Sequence, residues 1–207
     1  MIAVVDYGAG NLRSVARALA AAGAPNVEIT ADPARIANAS RVVLPGVGAF
    51  AQCITALRGA AGIEAALAEA VVARGTPFLG ICVGMQMMAT VSREYHDTAG
   101  FDWIPGEVVK VTPSDRHLKV PHMGWNDLVI DHPHPVLAGI ANGDHAYFVH
   151  SYQFQVTDPA HRLAHVDYAG DVTAIIGRAT MIGTQFHPEK SQKTGLRLIG
   201  NFLTWRP

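Results

Sequence analysis

The chain is short of several things, and each shortage removes a class of function. Among 207 residues there are 2 cysteines, Cys53 and Cys82, in unrelated surroundings. A disulfide framework is therefore not expected, and both thiols read as free in a reducing, cytoplasmic setting. Only 16% of residues are charged and the net charge is −1. That leaves neither the basic surplus of a nucleic-acid binder nor the acidic tail of a disordered segment. No run approaches the ~18 apolar residues of a membrane span. Asp6 interrupts the opening apolar run and no basic segment precedes it, so no signal peptide is expected. Histidines are plentiful, but His132, His134, His145, His150, His161 and His165 are scattered, with no H-E-x-x-H or C-x-x-C spacing. No metal site and no cofactor are expected, and these imidazoles read mainly as structural or solvated. No repeat, low-complexity tract or linker divides the chain, so 1–207 reads as one domain.

What is present is a chain 49% apolar, long enough to bury a core without staples. The first half alternates apolar strand runs with helical stripes. Strands are expected at Ile2–Val5, Val27–Thr30, Arg41–Leu44 and Pro77–Gly80. Helices are marked by Leu12, Val15, Ala16 and Leu19, by Phe50, Cys53, Ile54 and Leu57, and by Ile63, Ala66, Leu67, Ala70 and Val71. Gly23 suits the end of the first. Such alternation calls for an α/β fold with a mostly parallel sheet covered by helices. In the second half, Val108–Val111, Leu128–Ile130, Tyr147–His150, Phe154–Val156, Ala164–Val166, Thr173–Ile176 and Met181–Thr184 read as short strands with little helix between them. Several of these should pair antiparallel. A closing helix buries Leu196, Ile199, Phe202 and Leu203.

The chemistry concentrates at Gly80-Ile81-Cys82-Val83-Gly84, after the apolar run Thr76–Leu79 and before Met85-Gln86-Met87-Met88. A strand, a sharp turn and a helix start form the context in which a nucleophile is held out of the backbone. The glycines on either side of Cys82 let the turn close without a Cβ clash. A helix start also favours the thiolate. A buried hydrophobe is the ordinary fate of a lone cysteine, and Cys53, on an apolar helical face, reads that way. Downstream, Gln185-Phe186-His187-Pro188-Glu189 supplies a base, His187, and its orienting carboxylate, Glu189. On an extended strand end, residues i and i+2 point to the same side.

The loop Leu44-Pro45-Gly46-Val47-Gly48-Ala49-Phe50 satisfies G-x-G-x-x-A at Gly46, Gly48 and Ala51. It follows the third strand rather than the first, and Pro45 stiffens it, so a dinucleotide site is the weaker reading. The stronger one is an oxyanion loop: an N–H near Val47 or Gly48, with that of Val83, binding the oxygen of a tetrahedral intermediate. Gly8-Ala9-Gly10 lacks a third glycine, Arg13 standing there, and is weaker still as a nucleotide motif.

Taken together, these stretches resemble the class I glutamine amidotransferase family, in which G-x-C-x-G and a later H-P-E carry a Cys-His-Glu triad. The similarity extends to the runs Asp6 to Val15, Val120-Pro121-His122-Met123-Gly124-Trp125-Asn126, Tyr147-Phe148-Val149-His150-Ser151-Tyr152, Thr184 to Ser191 and Gly195 to Phe202. These are most like the family's glutaminases of histidine biosynthesis. Val83 stands where Leu is common in that group, and Gln153 where an aromatic or Arg is common. The resemblance implies a flavodoxin-like fold, glutamine as substrate and a triad of Cys82, His187 and Glu189. It implies that Gln86, His150, Ser151 and Tyr152 hold the amino-acid end of glutamine. It further implies a heterodimer with a (β/α)8 cyclase that receives the ammonia, with Asn11, Trp125 and Lys190 at the interface. The oxyanion loop would rotate a peptide when that partner binds its phosphoribosyl ligand.

Three alternatives stay open. The glutaminase of another amidotransferase shares the triad but should lack P-H-M-G-W-N and Y-F-V-H-S-Y. A scaffold that kept the fold and lost the chemistry is opposed by the presence of all three triad residues. A cysteine-dependent chaperone or peptidase of flavodoxin-like fold would take its base elsewhere than His187.

Overall fold

Runs buried on both faces make the central sheet. The computed structural model describes residues 1–207. In it β1 (Ile2–Val5), β3 (Arg41–Gly46), β4 (Phe78–Cys82) and β14 (Met181–Thr184) are almost wholly buried, as strands covered by helices on both faces must be. With β2 (Val27–Thr30) at the edge they form five parallel strands in the order β2-β1-β3-β4-β14. The sheet continues through β13 (Asp171–Arg178), β12 (Arg162–Asp167) and β9 (Val129–Ile130), all paired antiparallel. The mixed sheet agrees with the sequence expectation.

The first helix, α1 (Leu12–Ala21), ends as its glycine suggests. Gly23 takes φ +97°, and the N–H groups of Gly23 and Ala24 bond to the carbonyls of Ala20 and Leu19, a Schellman arrangement. It packs against the closing helix α6 (Gln192–Thr204). In that helix Leu198, Ile199 and Phe202 are buried, while Leu196 is 40% exposed. Leu196 is thus a correction to the expected stripe. On the other side α3 (Phe50–Gly59) meets α4 (Ile63–Leu67), which also packs on α2 (Pro33–Ala37). The expected single helix through Val71 instead continues from α4 as a wider π-turn over Ala68–Ala73, with Arg74 N–H reaching back to Glu69 O. Helix α2 is not among the expected elements, although its Asp32 cap, accepting from Ala34 N–H at 2.9 Å before Pro33, is a legible start signal.

Two smaller sheets complete the fold. One is β11-β7-β5-β6, from β5 (Val91–Ser92), β6 (Thr98–Ala99), β7 (Gly106–Lys110) and β11 (Tyr152–Val156). The other pairs β8 (His122–Asp127) with β10 (His145–His150) in antiparallel register, Trp125 facing Tyr147 and His122 facing His150. Strands β5, β6 and β8 go beyond the sequence expectation; β8 contains Gly124 at φ +128° and follows Pro121, which hides it from propensity reasoning. One core of 55 buried residues runs through both halves of the chain. No helix is long and apolar enough to cross a membrane.

Candidate active site

Strand β4 delivers Cys82 to a corner. The residue ends the strand and caps α5 (Val83–Gln86) with φ 55° and ψ −113°, a region L-residues seldom adopt. Close packing holds it there. A Cβ at Gly84 would lie 1.9 Å from Leu44 O, and one at Gly80 would lie 2.7 Å from Gly84 O. The elbow expected around Cys82 is present, but its helix is one turn rather than a helix running through Met88. Four aligned peptides sum to little of a macrodipole. Support for a thiolate must therefore come from neighbouring donors more than from the helix.

His187 arrives from the far side of the sequence, just beyond β14, which lies beside β4 with Thr184 opposite Ile81. Its backbone is clamped: His187 N–H bonds to Tyr147 O at 3.1 Å, and Ser191 Oγ donates to His187 O at 2.7 Å. Its Nδ1 lies 2.9 Å from Glu189 Oε1. This leaves Nε2 free to face the cavity that Cys82 also lines. Burial draws the imidazole pKa down, but hydrogen bonds and charge from Cys82 and Glu189 outweigh it, pushing the value up to about 9. The expected geometric reason needs correction. Glu189 is not on a strand end; it sits in a 3-10 turn, Pro188–Lys190, after an extended His187. The turn folds the carboxylate back under the ring.

Cys82 and His187 line one cavity of about 380 Å³. The same cavity is lined by Val47, Gly48 and Val83, by Gln86, and by His150, Ser151, Tyr152 and Lys190. Ten expected positions thus converge on one space. Asn11 and Trp125 do not: Asn11 stands at the N-cap position of α1 without a side-chain capping bond, and Trp125, 48% exposed, stands on β8 edge-on to the Tyr147 ring at 5.8 Å. Lys190 Nζ lies 6.0 Å over that same ring. Trp125, Tyr147 and Lys190 are therefore one surface cluster at the rim.

The loop beside the elbow is held from behind. Gly46 pairs with Cys82 in the sheet register, Tyr7 Oη donates to Pro45 O at 2.9 Å, and Cys53 Sγ donates to Val47 O at 3.2 Å. Cys53 is 1% exposed, as expected of a core residue, yet its thiol also has this polar partner. Gly48 takes φ +96°, open to glycine without strain.

Some roles lie outside the sequence expectation. Glu94 lines the cavity while buried, its Oε2 accepting the Phe50 N–H at 2.6 Å. It lies in the stretch after Ser92 that matches no motif, and no local signal marks it. Gln185 is wholly buried and its Nε2 faces Cys82 Sγ at 3.7 Å. Its spacing of two from His187 is a readable hint. His150 lines the cavity, but both its ring nitrogens are taken, Nδ1 by Tyr152 O at 2.8 Å and Nε2 by His122 at 3.0 Å. Its pKa is lowered to about 4, chiefly by burial, so the ring is neutral. It serves as a wall rather than a polar ligand.

The family description that matches the chain, over residues 3–204, is glutamine amidotransferase class-I. Proteins named imidazole glycerol phosphate synthase subunit HisH are similar over the full length. The one from Cereibacter sphaeroides is 62% identical, covering 99% of this chain and 98% of that protein. The one from Ruegeria pomeroyi is 58% identical, with 100% of each covered. Among solved structures, a glutamine amidotransferase superposes with TM-score 0.75 at 19% identity, covering 98% of this chain and 97% of that one. The structure of PurLQS from Thermotoga maritima gives 0.69 at 17% identity, covering 98% and 96%. At such identities these structures speak for the fold alone.

Proposed function

The chain belongs to the glutamine amidotransferase class-I family, and on that premise we propose that it is the glutaminase subunit of an imidazole glycerol phosphate synthase in histidine biosynthesis. The observation that carries the chemistry is the convergence of Cys82, at a strained strand-to-helix corner, with a His187 that is itself held by Glu189.

Glutamine enters the cavity with its side-chain amide against Cys82. The thiolate sulfur attacks the amide carbon, and the oxygen becomes an oxyanion between the N–H of Val83 and one from Val47 or Gly48. His187, as imidazolium, hands its Nε2 proton to the departing nitrogen, and ammonia leaves. The remaining γ-glutamyl thioester is attacked by water, with His187 taking the water's proton, and glutamate is released. Glu189 keeps the imidazole in its tautomer and balances its charge. The Glu94 carboxylate answers the α-ammonium of the substrate. Gln86 uses its nitrogen on protein acceptors, so what it offers glutamine is its Oε1 acceptor. Ser151 and Tyr152 complete the far wall.

Ammonia set free in water would be protonated and lost. The proposal therefore includes a cytoplasmic heterodimer with the (β/α)8 cyclase, which uses the ammonia to convert PRFAR to imidazole glycerol phosphate and AICAR. Trp125 and Lys190, clustered with Tyr147 at the rim, and Asn11 at the start of α1 are its contacts on this chain. The deciding experiment measures glutamate formation with and without the cyclase and its phosphoribosyl ligand, for the native chain and Cys82→Ala. Partner-dependent turnover lost in Cys82→Ala supports the proposal. Glutamate formation that survives in Cys82→Ala overturns it.

A further inference from the structure

The elbow helix is too short to do much for a thiolate, and the oxyanion donors face the substrate rather than the sulfur. One other group reaches Sγ. Gln185 Nε2 lies 3.7 Å from it, and that amide is not free to choose which end it presents.

The constraint begins at a backbone carbonyl. Tyr152 O can only accept. It takes a hydrogen bond from Gln86 Nε2 at 3.0 Å, so Gln86 must turn its nitrogen there. The second proton of that nitrogen goes to Gln185 Oε1, also at 3.0 Å. With its oxygen held, Gln185 leaves only N–H to face the sulfur. Reversing Gln86 would set its oxygen against the Tyr152 carbonyl; reversing Gln185 would set two NH₂ groups together. The backbone of Gln185 is fixed as well, its N–H bonded to Ala174 O at 2.8 Å.

The same carbonyl is secured from its other side. It accepts from His150 Nδ1 at 2.8 Å, so His150 Nε2 is a bare acceptor and takes the Nδ1 proton of His122 at 3.0 Å. His122 Nε2 is then the acceptor for Asn126 Nδ2 at 3.2 Å. Asn126 is oriented independently, because Nδ2 also donates to Asp167 O at 3.0 Å and Oδ1 accepts Asp127 N–H at 2.8 Å. Two sets of backbone anchors, at Tyr152 and at Asp127 and Asp167, thus demand the same tautomers. Burial holds both rings neutral, each lowered to about 4, so ordinary pH changes leave the chain intact.

We infer that Gln185 is a positioning donor for the nucleophile, its N–H aimed at Cys82 Sγ by the chain that runs from Asn126 through His122, His150, the Tyr152 carbonyl and Gln86. A hydrogen bond to sulfur favours the thiolate over the thiol, which is a poor acceptor. It adds no charge, so it leaves the His187 proton available for the leaving nitrogen.

The inference rests on Cys82 as the nucleophile, and the test reads the sulfur directly rather than turnover. The rate of Cys82 alkylation by iodoacetamide is followed against pH in the native chain, in Gln185→Met and in Gln86→Met, with melting temperatures alongside. The other titratable or charged groups near the sulfur, His187, Tyr7 and Cys53, and Glu94 and Lys190 across the cavity, are untouched. Losing a hydrogen bond to a charged group should cost Gln185→Met about tenfold in rate at neutral pH, with its rise moved to higher pH. Gln86→Met should show the same displacement to a lesser degree, because Gln185 loses its anchor. A pH profile unchanged in Gln185→Met, or in Gln86→Met should Gln185→Met not fold, overturns the inference, and a lowered melting temperature with that profile would mark a purely structural role. A native chain whose Cys82 alkylates no faster than a free thiol would instead sink the nucleophile assignment itself.

Discussion

His187 Nδ1 is held 2.9 Å from Glu189 Oε1, and the carboxylate side chain that holds it is 1% exposed. The carboxylate therefore acts on the ring with little solvent between them. Its influence is readable in stability as well as in rate.

In the folded chain the His187 imidazole titrates near about 9, against an ordinary value of 6.5. The fold binds that proton more tightly than the unfolded chain does. Its stabilising contribution is complete below about pH 6.5 and is lost as pH rises towards 9. Melting temperature should fall across that interval, and the fall should be shallower in Glu189→Gln. Thermal melts at half-unit steps check this; equal slopes in the two proteins would contradict it.

In turnover, Glu189→Gln should lower kcat by about 10² to 10⁴ while leaving KM for glutamine within a few-fold, since the amide mis-sets the tautomer without reaching the substrate. Steady-state glutamate formation in the complex measures both.

Glu94→Gln should do the reverse. Removing the charge proposed to meet the α-ammonium should raise KM about 10- to 100-fold, a loss of about 1.5–3 kcal/mol for a charged hydrogen bond. A change confined to kcat would place Glu94 outside substrate binding. The replacement carboxamide can still accept the Phe50 N–H, so the fold should persist.

Gly84→Ala should be among the most damaging small substitutions, because the added methyl would meet Leu44 O at 1.9 Å. Backbone cannot yield as a side-chain tip can, so a cost of at least about 2 kcal/mol is expected. For a chain of this size that is a drop of roughly 4–8 °C in melting temperature, visible by calorimetry.

Trp125→Ala and Lys190→Ala should leave the melting temperature of the isolated chain nearly unchanged, as exposed positions do. Either should weaken association with the cyclase by about 30-fold if it is an anchor of the interface. Titration calorimetry separates the two effects.

The parallel strands and the elbow are legible in the sequence because each rests on short-range rules. An apolar run of four or five residues can only be buried on both faces, and Gly80-Ile81-Cys82-Val83-Gly84 leaves the turn no other residue to project. The H-P-E tail is legible for its residue types, although the 3-10 turn that brings Glu189 under His187 is not. Strand β8 is hidden by Gly124, since propensity cannot see the β10 partner that makes it a strand. Glu94 is invisible because its place at the cavity depends on β5 and β6, two-residue strands that pair with each other and join the sheet only through the pairing of β5 with β7.

By itself, then, the order of residues marked the groups proposed to carry the chemistry and the backbone turn that exposes the sulfur, since both depend on neighbours within a few positions. Folding alone decided which way each amide and imidazole points. Gln86, Gln185, His150 and His122 are oriented by the Tyr152 carbonyl and by backbone groups beyond it, through contacts spanning up to 99 positions. A donor and an acceptor on one side chain look alike in sequence; only the fixed carbonyl across the cavity tells them apart.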